Sequence, residues 1–187
     1  DEVQVVIDKI GKERLIDKRD RALVALLYWT GLRRSEVCKA RLGQYKKVKG
    51  HTIIDGIERK GDDTDWVKVQ VPLQRALEEW WEAAGLSEPG APLFCAVDKA
   101  GRVNGKEPLS SNGIYLIVKR RTEAAGFSDI TPHALRRSMA TNMDLKGVPV
   151  SHIMAAGGWK SRAMLDIYIQ QSASLDDNAT DRLKLAL

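Results

Sequence analysis

The sequence contains two arginine residues whose settings suit the binding of a phosphate group. Arg33 follows Thr-Gly-Leu and lies three positions before Glu36, so on a helix the carboxylate can orient the guanidinium group. The start of a helix is a favourable place for a phosphate-binding arginine, because the free backbone N–H groups there also attract anions. Taken alone, the Arg33–Glu36 pair is better explained as an exposed surface ion pair.

The second arginine, Arg136, lies one helical turn after His133 in the segment His-Ala-Leu-Arg-Arg. Thr131 and Pro132 precede this segment and are typical of an N-cap and a first helical position. Leu135 is predicted to face the core, which leaves His133 and Arg136 on the other side, where they can share one phosphate. A single histidine near a helix start is usually structural or solvated, but the arginine beside it makes that explanation less adequate.

Three further residues suit the same chemistry, although each has an ordinary explanation. Trp159 follows a Gly-Gly pair and precedes Tyr168 by nine positions. A tryptophan and a tyrosine at this spacing are more often part of a core. Lys60 stands in Arg-Lys-Gly at the end of a predicted hairpin, where charged residues are normally solvated. None of the three establishes a site by itself.

Together, the order and context of these residues resemble the catalytic motifs of the tyrosine recombinases, the phage integrase family. That family has an Arg in a Gly-Leu-Arg-x-Ser-Glu box, a Lys on a β-hairpin, a His-x-Leu-Arg box, a His or Trp after Gly, and a Tyr nine residues later. This chain has Thr-Gly-Leu-Arg-Arg-Ser-Glu at 30–36 and His-Ala-Leu-Arg-Arg at 133–137, with the predicted hairpin between them. The resemblance extends from Arg33 to Tyr168, which is most of the chain.

The resemblance implies a role for each residue in breaking and rejoining a DNA strand. Tyr168 would attack a phosphorus atom, form a 3′-phosphotyrosyl link and expel a 5′-hydroxyl group. His133 would accept the proton of the phenol, and Lys60 would protonate the departing oxygen. The two arginines and the tryptophan would hold the phosphate oxygens, so we expect the set to converge on one basic concavity. The implied set is Arg33 with Glu36 as its orienting partner, Lys60, His133, Arg136, Trp159 and Tyr168.

The chain departs from the pattern of the family at a few positions. Trp159 replaces the commoner His, a change that the family accepts but that removes an ionisable group from the site. Arg34 stands where an apolar residue is frequent, and Lys68, on the strand after the hairpin turn, competes with Lys60 for the role of the catalytic lysine. The N-terminal DNA-clamping domain of the family is expected to be absent, so residues 1–187 are interpreted as the catalytic domain alone.

The spacing of apolar residues predicts a mainly helical domain with one small antiparallel sheet, an α+β fold like that of the tyrosine recombinase catalytic domain. β-branched residues in His51–Ile57 and Asp65–Val71 predict the two strands of the hairpin. From Gly85 to Gly105 we expect loops around a short apolar run. Helices are predicted at Asp1–Ile16, Asp17–Thr30, Arg33–Ala40, Leu73–Ala84, Ser110–Ala125, Thr131–Gly147, Ser151–Ala156, Ser161–Gln170 and Leu175–Leu187.

Composition is that of a globular domain with a basic surface. The 187 residues are 43% hydrophobic and 29% charged, and no apolar run is long enough to span a membrane. A net charge of +5 and a pI near 9.2 suit a polyanionic partner. Cys38 and Cys95 have neither metal-ligand nor disulfide spacing, so we expect free thiols in a reducing, cytoplasmic compartment. The histidines show no ligand spacing with acidic residues, so no metal ion is expected. No other cofactor is expected either, because the protein–DNA link that the resemblance implies conserves the energy of the broken bond.

The resemblance further implies double-stranded DNA as the partner, a homo-tetramer assembled on that DNA, accessory DNA-bending proteins as additional candidates, and a prokaryotic or phage origin. A type IB topoisomerase shares the chemistry, but the spacing from Gly-Gly-Trp to Tyr and the compact domain favour a recombinase. A DNA-binding module without catalysis would have no physical need for the complete set. The polar segment 170–181 and the apolar Leu183–Leu187 are expected either to pack on a neighbouring protomer or to fold back in cis.

Overall fold

The computed structural model describes residues 2–59 and 64–169, and this part of the chain is mainly helical. Lys60 and the tail from residue 170 onward, including the predicted helix Leu175–Leu187, lie outside the described residues. The helices are α1 (Glu2–Lys9), α2 (Leu15–Thr30), α3 (Arg34–Lys39), a short 3₁₀ helix (Leu42–Gln44), α4 (Val71–Ala84), α5 (Ser111–Ala124), α6 (Pro132–Leu145), α7 (Val150–Gly157) and α8 (Arg162–Ile169). No helix among these residues is long and apolar enough to cross a membrane.

The strands form two small antiparallel sheets. The first has the order β1-β2-β3, with β1 at Tyr45–Val48, β2 at His51–Glu58 and β3 at Thr64–Lys68. The second pairs β4 (Cys95–Val97) with β5 (Val103–Pro108). The first sheet therefore brings the end of β2 and the start of β3 together, which is where the sequence predicts the turn with the lysine.

The main core surrounds α2, whose apolar side chains are buried on most of its faces. Leu23, Leu26 and Leu27 are completely buried, and α2 packs against α4 and α6. The two adjacent tryptophans of α4, Trp80 and Trp81, both donate an indole N–H to the carbonyl of Leu93, which ties α4 to the segment just before β4. The helix that ends at Thr30 is thereby fixed in the centre of the fold, and the chain leaves it directly into the Arg33 segment.

A second, smaller cluster holds the C-terminal helices. Its buried members come from α6, α7, α8 and the α7–α8 connection, and they are Met139, Ala140, Ile153, Trp159 and Leu165. Tyr168 and Ile169 pack partly buried against it. Because this cluster buries far less apolar surface than the main core, we expect α7 and α8 to open locally before the helices of the main core.

Two of the predicted elements need correction. The helix predicted at Asp1–Ile16 is wrong as one element, because α1 ends at Lys9 and α2 begins at Leu15. Gly11 lies in the break, where a Cβ atom would stand 3.0 Å from the Asp17 carboxylate. The strand predicted at Asp65–Val71 ends at Lys68, and Val71 starts α4 because Pro72 suits the first helical turn.

The sequence analysis also predicted too few strands, because it expected one sheet and the described residues form two. β1 carries Lys46 and Lys47 on an exposed ribbon, so it lacks the apolar alternation that identifies a strand. The expected loop region contains β4 and β5, which are joined through Asp98, whose carboxylate accepts the backbone N–H groups of Ala100 and Arg102. The remaining predicted helices within the described residues are confirmed to within a few residues at their ends.

Candidate active site

Most of the site residues that are predicted from the sequence line one cavity of about 310 Å³. It lies where the N-terminus of α3, the N-terminus of α6 and the α8 helix meet. Its lining consists of Leu32, Arg33, Arg34, Ser35, Ser111, Pro132, His133, Arg136, Trp159, Met164 and Tyr168. Arg33, His133, Arg136, Trp159 and Tyr168 therefore share one cavity, whereas Glu36 lies behind it as a buried residue.

Arg33 is held by a buried carboxylate at the start of α3. Its Nη1 donates to Oε1 of Glu36 at 2.8 Å, and its backbone N–H donates to Oε2 at 2.7 Å. The side chain of Arg33 is 36% exposed while that of Glu36 is 4% exposed. The carboxylate thus fixes the guanidinium from inside the protein and leaves its outer side open to the cavity, as the i, i+3 spacing predicts.

His133 and Tyr168 meet at the rim of the cavity. Thr131 Oγ1 caps α6 by accepting the backbone N–H of Ala134 at 3.1 Å, which starts the helix so that His133 is on its first turn. The Nε2 atom of His133 lies 3.3 Å from Oη of Tyr168, and the two rings meet edge to face. When Nε2 is unprotonated, the phenol donates to it.

The electrostatic surroundings of His133 favour that unprotonated form. Partial burial lowers the pKa of His133, and the positive charges of Arg136, Arg137 and Arg33 lower it further. At neutral pH, the imidazole of the DNA-free protein is therefore mostly neutral and can accept a proton. This is the protonation state that a base acting on Tyr168 requires.

Arg136 is the most buried of the charged groups that line the cavity. Its Nη2 donates to the carbonyl of Gly157 at 2.8 Å, its Nη1 donates to the carbonyl of Gly31, and its Cζ lies 4.2 Å from the centre of the Trp159 ring. Burial, followed by repulsion from Arg33, lowers the pKa of Arg136 to about 10, so the group is still charged at neutral pH. Carbonyl dipoles and an aromatic face hold this cation, which leaves its charge available for an anion.

The Trp159 ring packs against the guanidinium group of Arg136 and beside the ring of Tyr168. The Trp159 ring lies directly on the bare α-carbon of Gly157, where an added Cβ atom would come within 1.8 Å of the ring. The centres of the Trp159 and Tyr168 rings are 5.9 Å apart. The Gly157 position therefore has to lack a side chain for Trp159 to occupy this place.

The lysine assignment stays a prediction. Lys60 falls outside the described residues, and Lys68 is exposed at the end of β3. Lys68 lines a neighbouring groove of about 920 Å³ together with Trp66, His152 and Lys160, and Trp159 lines both this groove and the Tyr168 cavity. Within the described part of the chain, the lining of the Tyr168 cavity contains no lysine.

Arg34, the departure from the pattern of the family, adds a further cation to the cavity. Its Nη1 donates to the carbonyl of Ser111 at 3.2 Å, and its Cζ lies 5.5 Å from the centre of the Tyr115 ring. The cavity is therefore lined by three arginines and a histidine. In the described residues, no group of three His, Cys, Asp or Glu side chains is arranged to hold a metal ion.

The family of the chain follows from a comparison with known proteins. The model of the family described as "Phage integrase family" matches residues 1–174. The chain belongs to this family. The matched range includes the whole candidate active site, from Arg33 to Tyr168.

Curated relatives place this integrase-family chain beside the Xer recombinases. It is 30% identical over 185 residues to the tyrosine recombinase XerA of Pyrococcus furiosus, which covers 99% of this chain and 60% of that protein. It is 30% identical over 157 residues to the tyrosine recombinase XerC of Corynebacterium efficiens, covering 83% of this chain and 47% of the relative. The chain thus spans about half the length of these curated relatives.

Solved structures show the same fold. A crystal structure of the XerA recombinase superposes with a TM-score of 0.76 at 21% identity, over 98% of this chain and 64% of that one. A lambda integrase (75–356) dimer bound to a COC′ core site gives a TM-score of 0.65 at 18% identity, over 100% of this chain and 60% of that one. The mainly helical integrase fold predicted from the sequence is confirmed.

The structure adds one charged residue that the sequence analysis missed. Arg59, at the end of β2, is buried against Glu36 and the carbonyl of Gly157. A charged residue at the end of a strand is normally solvated, so nothing in the sequence indicates its burial. Its only sequence signal is its position directly before Lys60.

Gly31 is expected to be indispensable to this integrase-family site, and Gly31→Ala tests this. Gly31 ends α2 with φ +60, its carbonyl accepts from Arg136, and a Cβ atom would lie 2.9 Å from the Met139 methyl group. We expect an unfolding free energy lowered by more than the roughly 1–2 kcal/mol that left-handed strain alone costs. The measurement is urea denaturation.

The matched control is Gly85→Ala. Gly85 ends α4 with φ +66, but nothing lies within 4 Å of its added Cβ atom, so only the backbone strain is introduced. Equal losses for the two variants would show that Met139 moves aside freely and that Gly31 has no special packing role.

Proposed function

We propose that this chain is the catalytic domain of a site-specific DNA recombinase that cleaves and rejoins DNA strands through a 3′-phosphotyrosyl intermediate. The observation that carries the proposal is the 3.3 Å approach of Tyr168 Oη to His133 Nε2 in a cavity also lined by Arg33 and Arg136. A phenol has a pKa near 10, so it needs a base or a positive field to attack at neutral pH. This cavity offers both.

The arginines neutralise the phosphodiester. An anionic phosphate resists a nucleophile, and more negative charge collects on its oxygens in the pentavalent transition state than in the substrate. Arg33 is fixed by Glu36, and Arg136 is fixed by two backbone carbonyls, so neither has to reorganise during the reaction. Such preorganised donors bind the transition state more strongly than the ground state. Trp159 holds Arg136 from below and contributes its indole N–H as a further donor to phosphate.

The proton and bond changes balance without a cofactor. His133 accepts the proton of Tyr168, the phenolic oxygen bonds to phosphorus, and the bond from phosphorus to the 5′-oxygen breaks. Lys60 is proposed to give a proton to the departing 5′-oxygen. In rejoining, a 5′-hydroxyl group gives its proton back to Lys60 and attacks the phosphotyrosine, and Tyr168 leaves and recovers its proton from His133. The energy of the broken phosphodiester is conserved in the phosphotyrosyl bond, so no nucleotide hydrolysis is required.

Double-stranded DNA is the proposed substrate. The net charge of +5 and the basic cavity suit a polyanion. Two solved relatives are described as a lambda integrase dimer bound to a COC′ core site and XerH bound to a difH substrate. We further propose that the protein assembles as a homo-tetramer on DNA, and accessory DNA-bending proteins are candidates for further partners. Because the curated relatives cited above are prokaryotic, the proposed location is the cytoplasm of a prokaryote.

The proposal is tested with nicked DNA. The full-length protein is incubated with a nicked suicide substrate, and covalent adducts are scored on a denaturing gel. Adduct formation followed by exchange between two recombination sites is expected. Adducts together with relaxation of supercoiled plasmid, but no exchange, would identify a type IB topoisomerase instead. DNA binding without any adduct would identify a non-catalytic module.

The cleavage rate is expected to fall at acidic pH because His133 becomes protonated there; this fall is called the acid limb of the pH profile. Because its pKa is lowered, the imidazole stays neutral at pH 7 and becomes protonated only below the ordinary value of about 6.5. The second-order rate of adduct formation, which reports the free protein, should therefore be constant near neutrality and fall as the pH drops below 6.5. His133→Gln should be slower by roughly 10²–10⁴-fold and show no such fall.

His152→Gln is the matched control, since His152 lines the neighbouring 920 Å³ groove and is not among the described residues that line the Tyr168 cavity. It should keep both the rate and the acid limb of the wild type. An unchanged acid limb in His133→Gln would assign the titration to another group and remove His133 from the role of base.

A further inference from the structure

Arg59 contacts both of the groups that hold Arg33 and Arg136 in place, which are the Glu36 carboxylate and the Gly157 carbonyl. It is 7% exposed at the end of β2, and its Nη1 donates to Oε2 of Glu36 at 3.0 Å. The same nitrogen lies 3.5 Å from the carbonyl oxygen of Gly157, and Nη2 lies 3.4 Å from the Asp65 carboxylate. One buried guanidinium therefore contacts α3, the end of α7 and the first sheet.

Arg59 contacts two acceptor groups, the Glu36 carboxylate and the Gly157 carbonyl, and each of them also accepts a hydrogen bond from an arginine that lines the cavity. Glu36 uses Oε1 for Arg33 and Oε2 for Arg59. The carbonyl of Gly157 accepts from Arg136 at 2.8 Å and lies within reach of Arg59. Arg59 lines the neighbouring groove of about 920 Å³ and is not among the described residues that line the Tyr168 cavity, so we expect it to act on a phosphate in that cavity through these partners.

The packing around Arg59 is specific to its shape. A Cβ atom on Gly158 would come within 2.7 Å of the Arg59 Cζ, and Gly158 has φ +66. The guanidinium thus lies flat on bare backbone directly before Trp159. Lateral movement of Arg59 would displace the turn that carries Trp159 and the Gly157 carbonyl.

Stability alone does not account for this arrangement. Within residues 2–59 and 64–169, Nε and Nη2 of Arg59 are buried without a hydrogen-bond partner, and Nη2 makes only the 3.4 Å ion pair with Asp65. A buried cation with incomplete hydrogen bonding is costly, and a well-packed apolar side chain often stabilises a fold as much or more. What an apolar side chain cannot do is bridge Glu36 and Gly157.

We propose that Arg59 is a positioning residue that couples Arg33 to Arg136 by fixing Glu36 and the Gly157 carbonyl together. The expected effect on the rate of adduct formation rests on the proposed function, whereas the expected effect on the positions of Arg33 and Arg136 does not. Arg59→Met keeps the length of the side chain but removes the bridge. A displacement of about 1 Å in a catalytic group can cost on the order of 100-fold in rate, so we expect adduct formation on nicked DNA to slow by roughly 10–100-fold.

A double-mutant cycle separates positioning from general destabilisation. If Arg59 acts through Arg33, then Arg59→Met should cost much less in an Arg33→Ala background than in the wild type. Arg59→Lys, which keeps a cation beside Glu36, should recover part of the rate. The control is Arg19→Met, which removes a buried arginine paired with Asp20 on α2. It should lower the melting temperature without slowing adduct formation at temperatures where the domain stays folded.

A second readout does not depend on catalysis. The side-chain Nε–H resonances of Arg33 and Arg136, assigned with Lys variants at each position, report how rigidly the guanidinium groups are held. Both should shift or broaden in Arg59→Met and stay unchanged in Arg19→Met. If the wild type formed no adduct while both resonances still responded, the proposed function would fail and the coupling would stand. Unchanged resonances, or additive losses in the cycle, would overturn the coupling.

Discussion

Tyr168→Phe is expected to abolish covalent attachment to DNA while leaving DNA affinity nearly unchanged. The change removes only the phenolic oxygen, which is the proposed nucleophile and the atom that lies 3.3 Å from His133 Nε2. The ring itself, which packs beside Trp159, is retained. One lost hydrogen bond at a half-buried site costs about 0.5–1.5 kcal/mol, so the domain should stay folded. Adducts are measured on nicked DNA, and affinity is measured by mobility shift.

Tyr115→Phe is the matched control for this variant. It also removes one hydroxyl group, from a ring that packs against Arg34 outside the cavity lining of the described residues. Wild-type adduct levels are expected. Adducts that persist in Tyr168→Phe would assign the nucleophile to another residue, and equal losses in the two variants would point to a general effect of removing a tyrosine hydroxyl.

Local parts of the site could be predicted from the sequence because neighbouring residues determine them. The pairing of Arg33 with Glu36 depends on one turn of α3, and the place of His133 depends on the Thr131 cap. Both follow from helix spacing and capping preferences, which need no knowledge of the rest of the fold. The assignment of these residues to a single cavity came from the family resemblance instead, since periodicity cannot place α3 beside α6.

Other features escaped the sequence analysis because tertiary contacts determine them. Arg59 is buried only because Glu36 and Gly157, which are distant in sequence, converge on it. β5 was missed because Val103–Pro108 contains a glycine and a proline and has little β-branched character, while its pairing with β4 compensates for this. Long-range partners override local propensity in both cases.

The residues of the site are supported by two hydrophobic clusters of different size. Arg33 follows α2, which is the centre of the main core, whereas Tyr168 and Trp159 belong to the small cluster of α6, α7 and α8. Arg136 spans the boundary, because it donates to Gly31 at the end of α2 and to Gly157 at the end of α7. The position of the proposed nucleophile relative to the arginines that are proposed to bind phosphate therefore depends strongly on this one side chain.

Arg136→Lys is consequently expected to slow adduct formation strongly. Lysine keeps the positive charge but has one nitrogen, so it cannot donate to Gly31 and Gly157 and still present a fork to phosphate. The rate of adduct formation should fall by roughly 10²–10³-fold, the usual effect of losing one preorganised transition-state donor. DNA affinity should fall much less, because the charge remains.

Arg121→Lys is the control that distinguishes catalysis from stability. Arg121 is also largely buried and also binds two acceptors, the carboxylates of Asp17 and Asp20, but it lies at the end of α5 outside the lining of the Tyr168 cavity within the described residues. Both substitutions leave a buried acceptor short of a partner, so both should lower the unfolding free energy by about 1–3 kcal/mol. Only Arg136→Lys should slow adduct formation at a temperature where both variants are folded. A comparable slowing in Arg121→Lys would mean that loss of stability alone reduces cleavage, and full activity in Arg136→Lys would mean that the charge of Arg136 is sufficient without its fork.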